Sequence, residues 1–77
     1  MTEEELEKAI YEANEEIKNL ARPTGPLPER EVRRREMLLL KQATLYKIED
    51  ARKQNRKRWE AFNIELYGLI TSILTSY

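Results

Sequence analysis

Apolar residues recur alternately three and four apart through the second half of the chain, at Leu45, Ile48, Trp59, Phe62, Leu66, Leu69 and Ile73. Arg52 and Asn55 occupy the two seam positions between Ile48 and Trp59. This is the spacing of a coiled-coil stripe on an α-helix. No proline or glycine lies between Glu29 and Tyr67, so the pattern predicts one long helix over 29–76. A shorter stripe of Leu6, Ile10, Ala13, Ile17 and Leu20 predicts a first helix over 2–21. Thr2 followed by Glu5 has the capping-box spacing, and the early glutamates suit the positive end of the helix dipole.

Between the two stripes, Arg22 to Pro28 reads RPTGPLP and holds all three prolines and one of the two glycines. That stretch, residues 22–28, is the predicted linker, short enough to join antiparallel neighbours. The expected fold is therefore all-α, a single helical domain shaped as an antiparallel helical hairpin with a long second helix. The two arms do not match in length. A helix of 48 residues spans roughly 72 Å, against about 30 Å for the first. Folded back, the first helix covers the second only to about Ile48. Trp59, Phe62, Leu66, Leu69, Ile70 and Ile73 are then left without cover within the chain, which would forfeit on the order of 10 kcal/mol in water. A dimeric four-helix bundle or coiled coil follows from that reading.

The competing arrangement breaks the helix within Arg52 to Arg58 and folds residues 59–76 back as a third helix, closing a monomeric three-helix bundle. Continuity is preferred, because the seven-residue repeat stays in phase across the polar stretch and no proline or glycine interrupts it.

Composition supports association. A chain of 77 residues has room for one small core, and small domains lean on disulfides, metals or partners. There is no cysteine and no histidine, so disulfides are excluded and only carboxylates remain as metal ligands. No metal and no cofactor is expected. The acidic start, with Glu3, Glu4 and Glu5, lacks the basic and apolar regions of a signal peptide, so a cytoplasmic location is expected. The tail from Ala61 to Tyr77 carries one charge, but it is too short and too polar for a membrane span.

Charge is balanced overall yet segregated, at −5 over residues 1–21, +6 over 22–60 and −1 over 61–77. Complementarity between packed helices explains this most simply. Arg52, Lys53, Arg56, Lys57 and Arg58 are the densest basic run. Such a run can contact phosphates or a protein partner, but on one continuous helix it fans around the circumference as a solvated collar. Catalysis lacks support: adjacent acids such as Glu49 and Asp50 diverge on a helix, and the serines have no histidine base.

The expected function is a non-enzymatic protein–protein interaction or assembly module of adaptor or inhibitor type. It would act as a homo-oligomer through Leu45, Ile48, Trp59, Phe62, Leu66, Leu69 and Ile73, with a further protein partner whose identity the sequence does not encode. The alternative is a small nucleic-acid-binding regulator using residues 52–58.

Overall fold

The computed structural model describes residues 1–20 and 28–76. The predicted linker apart from Pro28 lies outside the described residues, as do Ala21 and Tyr77. Among the described residues there are three helices and no strand: α1 (Glu3–Lys18), α2 (Glu29–Lys53) and α3 (Lys57–Thr75). The chain is all-α, and it takes the three-helix arrangement rather than the two-helix hairpin.

Helix α1 starts where its sequence specifies. The Thr2 hydroxyl accepts from the Glu5 N–H, and the Glu5 carboxylate accepts from the Thr2 N–H, both at 3.1 Å. Two backbone donors of the first turn are thereby satisfied reciprocally. The two contacts with Thr2 also hold the Glu5 carboxyl below the ordinary glutamate range. The helix ends at Lys18, a little before the predicted end, with Asn19 as C-cap.

The continuous helix over 29–76 is not observed, and the break is centred on a single residue. Asn55 sits at φ 55°, in the left-handed region, and is the only described non-glycine residue with positive φ. Around it the Asn55 N–H donates to the Arg52 carbonyl at 3.1 Å and the Arg56 N–H to the Ala51 carbonyl at 2.8 Å. These two bonds form a Schellman cap with asparagine in the place glycine usually holds. They satisfy carbonyls left open at the end of α2 and reverse the chain direction without glycine or proline.

Helix α2 is the central element, and both α1 and α3 pack against it. The core joins Leu6, Ala9 and Ala13 of α1 to Leu45 and Ile48 of α2, with Ile10, Ile64 and Tyr67 packed on its margin. Each of its neighbours runs antiparallel to α2. Along α1, the Gln42 amide donates to Asn14 at 2.6 Å, the Asn14 amide to Tyr46 at 3.2 Å, and Lys41 pairs with Glu16 at 3.2 Å. Along α3, Arg52 pairs with Glu60 at 2.7 Å, and the Lys41 ammonium lies 6.0 Å from the centre of the Tyr67 ring. Arg52 also donates to the Met1 carbonyl, so one side chain ties the N-terminus, α2 and α3 together.

Candidate interaction surface

Helix α3 carries two apolar faces, and only one is used inside the chain. The inner face runs through Asn63, Tyr67, Ile70 and Leu74, of which Asn63 and Ile70 are buried and the others half-buried. The outer face is the predicted seam. Trp59 is 39%, Phe62 55%, Leu69 63% and Ile73 46% exposed, with Leu66 half-buried at the middle of the row. The spacing 3, 4, 3, 4 keeps all five within one stripe along roughly 21 Å of helix.

Folding α3 back divides the sequence-predicted interface. Leu45 and Ile48 are 0% exposed and belong to the chain's own core. They cannot serve a partner while that core is intact. Ile70 gains intrachain cover that a hairpin would have denied it. Trp59, Phe62, Leu69 and Ile73 keep the open face that the spacing anticipated. What sequence reasoning missed was the second apolar face of α3, although Tyr67, Ile70 and Leu74 show it at helical spacing.

The basic run is divided as well, so it is not a collar around one helix. Arg52 is engaged with Glu60, and Lys53 lies 3.8 Å from Glu49 on the exposed end of α2. Beyond the turn, Arg56, Lys57 and Arg58 are exposed at the start of α3. With Asn55, Trp59 and Phe62 they line an open surface concavity. The Trp59 and Phe62 rings stack there, with centroids 5.6 Å apart and planes 10° from parallel. The outer stripe therefore has an aromatic, basic end and an aliphatic end without basic residues in the last turn.

Among the described residues no group of three or more acidic side chains gathers as a metal site. No described helix is long and apolar enough to cross a membrane. No family model matches the chain, and neither a curated protein nor a solved structure matches it.

Proposed function

We propose that this chain is a non-enzymatic helical interaction module that self-associates through the outer face of α3. The supporting observation is the unbroken row of large apolar side chains that the three-helix fold leaves in water. Scattered apolar residues on a protein surface need no explanation, but a contiguous row does. A second, sparser row of exposed large apolar side chains, Val32, Leu39 and Tyr46, runs at seven-residue spacing along α2, and its Tyr46 hydroxyl is already engaged by Asn14 of α1; Tyr11 stands alone on α1.

Magnitudes set the strength of the association. Full burial of each such side chain contributes about 1.5–3 kcal/mol, and roughly half of it remains to be gained at Trp59, Phe62, Leu69 and Ile73. Two copies together gain on the order of 6–12 kcal/mol. Association costs about 4–15 kcal/mol, so the balance describes a concentration-dependent complex, not a permanent one. Sedimentation from micromolar to millimolar protein tests this directly. The parent should move from monomer toward dimer, and Phe62→Asp with Leu69→Asp should stay monomeric with unchanged helicity. A parent that remains monomeric throughout sinks the reading.

One observation favours a second reading. Exposed Arg56, Lys57 and Arg58 beside a stacked aromatic pair are the materials of a single-stranded nucleic-acid platform. Nanomolar, steeply salt-dependent binding of nucleic acid, lost when those three residues become glutamine, would make this the function instead.

A further inference from the structure

We infer that the occupant of the α3 face is the α3 face of a second copy, laid antiparallel across a two-fold axis near Leu66. This inference rests on the self-association proposed above and adds the partner's surface and orientation. Three observations carry it.

The first is the match of surfaces. A second copy offers its densest row of large apolar side chains, from Trp59 to Ile73, on the outer face of its own α3, whereas the exposed row on α2 is spaced seven residues apart. An isologous contact, the same patch on both subunits, is the arrangement a two-fold dimer requires.

The second is size. Bulky Trp59 and Phe62 occupy one half of the row and the smaller Leu69 and Ile73 the other, with Leu66 between. Turning one copy about Leu66 sets Trp59 opposite the second copy's aliphatic end and Leu66 near its own counterpart. A parallel pair would instead crowd aromatic on aromatic at one end and leave aliphatic on aliphatic at the other.

The third is charge. Arg56, Lys57 and Arg58 lie at one end of the stripe, and the last turn of α3 holds no basic residue. An antiparallel pair brings each cationic end to the negative end of the other helix dipole. A parallel pair would press the two cationic ends together. The antiparallel arrangement has one unfavourable element, because Glu65 flanks the stripe beside Leu66 and would face its own copy across the axis.

The chain has no cysteine, so single thiols report orientation without background. Arg58 and Ser72 each precede a member of the row, Trp59 and Ile73, and both are exposed on the same edge. Two variants, Arg58→Cys and Ser72→Cys, are treated with a short thiol-reactive crosslinker, separately and mixed, at protein concentrations where sedimentation shows dimer. Covalent dimer in the mixture and in neither variant alone is the expected result. Crosslinking of each variant with itself overturns the antiparallel orientation and leaves self-association standing. A sedimenting dimer with no crosslink in any sample, its helicity unchanged, overturns the inference. A parent that never dimerises removes the underlying reading as well. Glu65→Gln gives an independent readout: relief of the like-charge pair should tighten the dimer roughly twofold at low salt, and no change or weakening argues against the axis at Leu66.

Discussion

Arg52 and Glu60 meet at 2.7 Å across the turn between α2 and α3, eight residues apart in sequence and both about three-quarters buried. On one continuous helix, residues eight apart are separated by more than two turns, roughly 12 Å along the axis, so this pair exists only because α3 folds back. The contact also orders the N-terminus, since the same guanidinium donates to the Met1 carbonyl.

Removing either partner should weaken the α2–α3 hairpin more than removing a fully exposed pair would. Glu60→Gln and Arg52→Gln should each cost about 1 kcal/mol, with a coupling of about 0.5–1.5 kcal/mol in the double-mutant cycle. Lys53→Gln, which breaks only the exposed contact with Glu49, should change stability by less than about 0.5 kcal/mol. Equal effects at Arg52 and Lys53 in urea unfolding would show that the turn does not depend on the buried pair.

The turn itself is tested at Asn55. Glycine tolerates positive φ better than asparagine, while a β-branched residue is strained there by about 1–2 kcal/mol. Asn55→Gly should therefore fold as the parent does, whereas Asn55→Val should lose about that much stability and shift toward an extended α2–α3 helix. Small-angle scattering distinguishes the two shapes, because the folded-back chain is 44 Å long and a fused helix over the same residues would approach 70 Å. A valine variant with parental stability and dimensions would remove Asn55 as the cause of the break.

That residue also marks the limit of what the sequence disclosed. The capping box at Thr2 and Glu5 and the α1 core positions Leu6 and Ala13 were legible, because caps and helical spacing are local signals. The outer stripe of α3 was legible for the same reason. Continuity through residues 52–58 was inferred from the missing proline and glycine, yet asparagine reaches the left-handed region often enough to end a helix. A seven-residue repeat stays in phase across such a turn by composition alone. Burial of Ile70 and Asn63 follows from the fold-back at that turn, and Leu45 and Ile48 are lost to the inner core against Leu6, Ala9 and Ala13 of α1; both are tertiary outcomes.

Acid should weaken the start of α1. Glu5 has its carboxyl lowered in the folded chain by accepting from the Thr2 backbone and side chain, so its contribution is present above the unfolded glutamate pKa. It is lost as pH falls through the ordinary glutamate range and past the lower folded value. Glu5→Gln retains the reciprocal cap without the titration, and should flatten that part of the stability–pH curve. Thr2→Ala should cost about 1 kcal/mol at neutral pH. Circular dichroism melts from pH 7 to pH 2 compare the three chains, and identical acid profiles for the parent and Glu5→Gln would exclude the cap as the source.

The last test concerns Asn63, fully buried on the inner face of α3. Its amide N–H donates to the Trp59 carbonyl at 2.8 Å, one turn back in the same helix, but Oδ1 has no hydrogen-bond partner among the described residues. A buried acceptor in that state costs about 1–3 kcal/mol, and the amide bond to an already helical carbonyl returns little of it. Leucine has nearly the same branched shape and no polar atom. Asn63→Leu should therefore raise stability by about 1–2 kcal/mol, which for a chain of this size moves Tm up by about 4–15 °C. Asn63→Ala should do the opposite, because it leaves a cavity where α2 and α3 meet. The stripe on the outer face is untouched by either change, so the sedimentation of the leucine variant should match the parent's. A leucine variant that melts lower would mean that Oδ1 is satisfied in solution and that the polar contact helps hold α3 against α2.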